Sequence, residues 1–222
     1  MRKVILLSIL GIFISFGAYS QDPSIKLGIK LAPTFGSTRI VLDDPDVTID
    51  NDGASMKMTF GLVVDKELAE NYVFSTGLMY IPKKVGISLN PSNAYAGAPL
   101  NASEEYKLQY LQLPATLKLF TNEVSPDMRV YFQLGMALEI KLYEEADPEL
   151  VEQESIDAFQ TFNIPLIMGA GMEYRAGVST VLFGGISYQR GLTNIVKNTN
   201  VNFADELFIK STLISIDLGV KF

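Results

Sequence analysis

Hydropathy alternates with period two through most of this chain, and beyond the first twenty residues no apolar run is long enough to cross a bilayer as a helix. The last segment is the clearest. Thr212, Ile214, Ile216, Leu218, Val220 and Phe222 fall on one face. Ser211, Leu213, Ser215, Asp217, Gly219 and Lys221 fall on the other. Successive side chains of a strand point to opposite faces, so this segment reads as a strand with one apolar and one mixed polar face. Residues 128–141 set Val130, Phe132, Leu134, Met136, Leu138 and Ile140 against Arg129, Gln133, Glu139 and Lys141. Residues 107–120 set Leu111, Leu113, Ala115, Leu117 and Leu119 against Gln112, Thr116 and Lys118. Segments 25–35, 56–65, 72–82, 159–173 and 179–190 follow the same rule.

The connections decide which way such strands face. They alternate in length: long at 36–55, 83–104, 142–158 and 191–207, short at 66–71, 121–127 and 174–178. That is the habit of transmembrane barrels, with short turns on the periplasmic side and long loops outside. Lipid-exposed backbone must satisfy its own hydrogen bonds, so strands can span a bilayer only as a closed barrel. The expected fold is therefore all-β: an antiparallel up-and-down transmembrane barrel of about eight strands, with its apolar faces toward lipid and its charges inward. A soluble lipocalin-like barrel would reverse that sidedness. Tyr72, Phe120 and Phe222 at one end, and Tyr80, Tyr106 and Tyr188 at the other, are candidates for two interfacial aromatic girdles.

The N-terminus supports export. Arg2 and Lys3 precede a nearly unbroken apolar run from Val4 to Gly17, and Ala18-Tyr19-Ser20 sets small residues before Gln21. This is the pattern of a cleaved signal peptide, expected over residues 1–20, with the barrel over 21–222. No Cys follows the run, so no lipoprotein anchor is expected. Removing residues 1–20 takes two cations and no acid from 18 Lys+Arg and 25 Asp+Glu, leaving 16 against 25 and a net charge of −9. A chain this acidic is a poor partner for nucleic acid. The expected location is the outer membrane of a Gram-negative bacterium. The expected partners are outer-membrane lipid and lipopolysaccharide, the barrel-assembly machinery through the terminal Phe222, and envelope proteins that the sequence does not identify.

Four stretches resemble the PorT-like family of small outer-membrane β-barrel proteins, often labelled porin-like. They are Gly77-Leu78-Met79-Tyr80 before Lys83-Lys84, Tyr110-Leu111-Gln112-Leu113-Pro114 running on to Lys118, Gly169-Ala170-Gly171-Met172-Glu173-Tyr174, and Tyr188-Gln189-Arg190-Gly191-Leu192-Thr193-Asn194-Ile195. Leu218-Gly219-Val220-Lys221-Phe222 resembles the family's closing strand. The resemblance covers essentially all of 21–222. It implies the same fold and location, an association with secretion or surface assembly, and no shared catalytic residues.

Chemistry is narrowed mainly by what is missing. The chain has no His and no Cys. Small outer-membrane barrels that act on lipids use acyl chemistry resembling a Ser nucleophile with a His base, and this chain lacks that base. Thiol catalysis and soft-metal sites go with the cysteines. We expect no enzyme, no cofactor and no metal. Asp50-Asn51-Asp52-Gly53 has the look of a calcium loop, but such a loop wants an acid at Thr48 and a Glu near Phe60. An Asp-Gly turn in a solvated loop accounts for it. The acidic run Glu144, Glu145, Asp147, Glu149, Glu152, Glu154 and Asp157 reads as a hydrated surface loop. The candidate site is the polar interior, with the charge cluster Lys118, Arg129, Glu139, Glu173, Asp217 and Lys221 and, beside it, Lys26, Lys30, Lys57 and Asp65. With about eight strands the lumen is just wide enough for side chains to fill it, which predicts a salt-bridged plug. Two functions follow: a structural or interaction module of the envelope, or a small porin-like channel for ions or narrow solutes.

Overall fold

The computed structural model describes residues 24–41, 47–51, 55–91, 102–146, 156–199 and 208–222. The expected signal peptide at 1–20 and most of the acidic stretch 147–157 lie outside them. Twelve strands follow one another, with no helix among the described residues. They are β1 (Ile25–Val41), β2 (Val47–Asn51), β3 (Ser55–Ala69), β4 (Tyr72–Pro91), β5 (Ala102–Ser125) and β6 (Met128–Ala146). Then come β7 (Ile156–Phe159), β8 (Phe162–Asn163), β9 (Pro165–Arg175), β10 (Val181–Gly191), β11 (Val196–Thr199) and β12 (Phe208–Lys221).

Eight of these are staves of a closed antiparallel barrel: β1, β3, β4, β5, β6, β9, β10 and β12, each paired with the next. Closure is made by β12 against β1, from Gly28↔Lys221 to Val41↔Phe208. Strand β2 prolongs the β3 stave along the outer part of β4, and β8 prolongs β9 along β6. Closure joins the first stave to the last, as a lipid-facing sheet requires.

The sidedness follows the alternation. Ile29, Leu31, Phe60, Leu113, Leu134, Met172, Ile186 and Leu218 are exposed on the outer wall, Leu134 and Leu218 at 56% and 55%. Asp65, Lys118, Glu139, Glu173, Asp217 and Lys221 are buried inside, none above 4%. A soluble barrel would show the reverse.

At the short-turn end the hairpins are tight. Glu70 and Asn71 alone separate β3 from β4. Asp127 takes the left-handed conformation, φ 61°, that lets β5 return as β6, and its carbonyl accepts from Arg175 N at 2.8 Å. At the other end the strands run far into the expected loops. Strand β4 continues to Pro91 through residues assigned to a loop from 83, and β5 begins at Ala102 and is 24 residues long. A bilayer needs only about 9–11 residues of tilted strand. The ladders therefore continue as a ribbon beyond the lipid. Pro82, the last residue of the expected segment 72–82, sits where β4 lacks a partner on its β3 side, between Phe60↔Tyr80 and Asn51↔Ile87. A missing N–H costs nothing there.

Two expected girdle residues turn inward instead. Phe120 packs on Tyr131 and Val73 inside the short-turn end, and Tyr106 lies in an apolar cluster at the far end. Tyr72 and Phe222 do face outward, 51% and 60% exposed.

The barrel interior as candidate functional site

Two separate polar networks fill the lumen. The first lies toward the short turns. Asp65 of β3 accepts from Lys118 of β5 at 2.8 Å and from Lys221 of β12 at 2.7 Å through the same oxygen, Oδ2. Its other oxygen accepts from Ser75 of β4. Lys221 also pairs with Glu173 of β9, and Lys118 lies 4.0 Å from that carboxylate. Two cations and two anions thus neutralise one another across the barrel. The rings of Tyr131 and Phe183 flank Lys118 at 5.2 and 5.6 Å, so its charge meets aromatic faces where it meets no carboxylate. Closing this network takes five strands, and no two of its charged members are sequence neighbours.

Small residues make room for it. A Cβ on Gly171 would meet the Tyr131 hydroxyl at 2.5 Å, and one on Gly185, its partner on β10, would meet it at 3.0 Å. The Tyr131 ring therefore lies across bare backbone. Interiors of small barrels pair large with small side chains in this way.

The second network lies toward the long connections. Lys83 of β4 pairs with Glu139 of β6 at 2.6 Å and reaches Ser211 of β12 at 3.2 Å. Gln112 donates to Glu139 at 2.9 Å and to Gln189 at 2.8 Å. Asn163 of β8 also donates to Glu139, and its carbonyl accepts from Thr193 at 2.6 Å. Between the networks Lys30 pairs with Asp217 at 2.7 Å. Beside that pair is a polar cavity of about 40 Å³, lined by Thr59, Gln112, Ser187 and Ser215 among others. Among the described residues Ser187 Oγ and Asp217 Oδ1 have no hydrogen-bond partner, and a space this size is large enough for water to reach them.

Above the second network the lumen changes character. Val85, Tyr106, Leu108, Tyr110 and Ile209 point inward and are buried against Ile156, Phe159, Ile195 and Val196. The last four come from a two-stranded ribbon, β7 with β11, and its approaches, folded across the mouth. The ribbon is pinned by polar contacts: Ile156 N donates to the Tyr106 hydroxyl at 3.1 Å, and Lys141 Nζ donates to the Phe159 carbonyl at 2.6 Å. Asn194 Oδ1 accepts from Val196 N and Ile209 N. The result is an apolar lid over a charged plug.

A family model described as an outer membrane protein beta-barrel domain matches residues 19–197. The chain belongs to that family. Its fold is shared with solved outer-membrane barrels at low identity. OprG from Pseudomonas aeruginosa superposes with a TM-score of 0.54 at 14% identity, covering 88% of this chain and 95% of OprG. Neisserial surface protein A gives 0.47 at 15%, covering 90% and 97%. No curated protein matches the sequence. The outer-membrane barrel thus places the sequence-derived candidates unevenly. Lys118, Glu173 and Lys221 meet in the first network, Glu139 anchors the second, and Asp217 sits between them with Lys30. Arg129 joins none of these. It is half-buried at the short-turn rim with its guanidinium 4.5 Å above the Phe120 ring. Lys26 likewise stays at that rim, paired with Glu67 at 2.7 Å.

Two members of the interior were missed from sequence. Lys83 falls just past the expected segment 72–82, although it continues the inward series of Ser75, Met79 and Ile81. The lid was missed because Ile156 and Ile195 fall in segments dominated by polar residues. One signal was present: Tyr106, Leu108 and Tyr110 are apolar at even positions, whereas below them Leu111, Leu113 and Leu117 are apolar at odd ones. That change of phase marks where the apolar face swings from lipid to lumen.

Proposed function

We propose that this outer-membrane barrel is a closed structural or interaction module that presents its long connections outside the cell and performs no catalysis. One observation carries the reading: every charge of the two networks is matched within the lumen, under an apolar lid. A conducting pore needs a hydrated path, and here salt bridges and packed aromatics stand in its place. Desolvated ion pairs persist only when each partner is present, so the plug holds itself together. The resemblance to PorT-like barrels supports an association with secretion or surface assembly. The exposed terminal Phe222 supports recognition by the barrel-assembly machinery, and Ala18-Tyr19-Ser20 supports cleavage before Gln21.

A narrow channel is the second reading, favoured by the polar cavity between the networks. Planar-bilayer recording separates the two. Purified wild type should give no steady steps. Conductance should appear only when the lid and both networks are weakened together, as when Lys118→Ala/Glu173→Ala is added to Lys83→Ala/Glu139→Ala/Ile195→Ala. Regular ohmic steps from wild type would establish the channel instead.

A further inference from the structure

The outer wall carries a concentration of positive charge that no acidic side chain among the described residues pairs with. Arg39 of β1, Lys210 of β12 and Arg190 of β10 all point outward, by the parity that buries Thr38, Ile209, Ser211 and Gln189. Arg39 and Lys210 are direct cross-strand partners. Arg190 pairs with Thr212, two residues from Lys210 on the same strand. Direct partners have Cα atoms about 5 Å apart and diagonal neighbours about 7–8 Å, so three cationic heads share one small area. Like charges placed so closely repel, and among the described residues none of the three has an ion-pair partner.

Cations elsewhere at this level are neutralised. Lys84 pairs with Glu105 at 2.5 Å, and Lys141 with Glu144 at 2.6 Å. Lys107 stands directly opposite Glu145. The three cations belong to a chain whose net charge is −7. Surplus of one sign therefore gathers where the protein as a whole carries the other.

The location states what would meet it. Four residues further toward the short turns, past Ser37, Thr212 and Tyr188, the same strands present Phe35, Ile214 and Ile186 outward, 44%, 48% and 61% exposed. Phe35 and Tyr188 both pair with Ile214, making one continuous apolar wall across β1, β12 and β10. Just above lies the lid level, where Ile209 has turned inward. The basic row thus stands at the boundary between hydrocarbon and headgroups, at the end of the long connections. A ligand there has apolar chains to lay on the wall and anionic groups at headgroup height. Guanidinium groups bind phosphate through paired N–H donors, and an ammonium adds a point charge.

We infer that Arg39, Arg190 and Lys210 form a binding site for the phosphate groups of a phosphorylated glycolipid in the outer leaflet, such as lipopolysaccharide. The acyl chains lie against Phe35, Ile214 and Ile186 and the phosphates sit across the three cations. This goes beyond the sealed-module reading and holds whether or not the lumen conducts.

The test is co-purification and native mass spectrometry of the full chain extracted from outer membranes, with bound lipopolysaccharide quantified per barrel. Arg39→Gln/Arg190→Gln/Lys210→Gln should lower occupancy at least tenfold, while Lys84→Gln/Lys107→Gln/Lys141→Gln should leave it within twofold of wild type. Folding of each variant is checked by the gel shift on heating. A second arm needs no variant: wild-type barrel in nanodiscs is titrated with intact and with phosphatase-treated lipopolysaccharide. Intact lipid should bind at least tenfold more tightly, and millimolar inorganic phosphate should not displace it. Equal binding of the two lipids would overturn the proposal, as would equal loss in both triple variants. Displacement by free phosphate would show a plain anion site and overturn the lipid assignment.

Discussion

At the residue scale each side chain acts according to the face its parity assigns. Leu134 is on the lipid face, and its neighbour Gln133 points inward and donates to Thr116 at 2.8 Å. An arginine at the bilayer midplane on the lipid face costs about 2–4 kcal/mol, while the lumen is polar already. Leu134→Arg should therefore lower the urea midpoint of unfolding in lipid vesicles clearly more than Gln133→Arg. A reversed order would mean the wall faces the other way. Gly171 tests packing rather than polarity. Gly171→Leu forces the Tyr131 ring off its backbone seat, and overpacking of this kind costs ~1–3 kcal/mol. Gly177→Leu, in an open turn where a Cβ meets only Thr180 at 3.9 Å, should cost far less in the same assay. Charge removal is harsher. Asp65 serves two lysines, so Asp65→Asn leaves both under-compensated in a buried site. Removing one partner of a buried ion pair costs ~3–5 kcal/mol, and the folded fraction on an unheated gel should fall accordingly.

At the element scale the ribbon of β7 and β11 is the part most separable from the rest. Its two strands pair with each other over only a few residues, with a shifted register. What holds it is the apolar cluster around Tyr106, Phe159 and Ile195, where the Tyr106 and Phe159 rings meet edge to face at 5.2 Å. Ile195→Asp places a charge in that cluster. We expect amide exchange over 156–159 and 196–199 to accelerate at least tenfold while β9 and β10, locked in long ladders, keep their protection. Uniform acceleration in all four would show that the lid is integral to the barrel rather than docked on it. The lid also accounts for strands that run past their expected ends: above the bilayer the apolar residues of β5 face the lumen, so the phase of the alternation inverts.

At the scale of the whole molecule, orientation is set by the connections: tight turns at one end, the lid and basic row at the other. The chain has no cysteine, so single cysteines report cleanly. With a membrane-impermeant maleimide on intact cells, Lys197→Cys should be labelled at once, and Asn71→Cys only after the outer membrane is permeabilised. Labelling of Asn71→Cys in intact cells would invert the barrel.

Much of this was legible in the residues themselves. Period-two alternation is a local property of a strand, so the strands, their number and the facing of Leu218 against Asp217 could be read without knowing any neighbour. The short turns and the inward burial of Lys118, Glu139, Glu173, Asp217 and Lys221 follow from the same rule. Parity says only that a side chain points inward, not whom it meets. That Lys221 reaches Asp65 across 156 residues while Arg129 is left on Phe120 depends on strand register and on barrel closure. So does the meeting of Arg39, Arg190 and Lys210, whose strands are brought side by side only when β12 closes on β1. The lid is the extreme case. Ile156 and Ile195 are buried by a surface that does not exist until the barrel has formed, so only the tertiary structure decided their place.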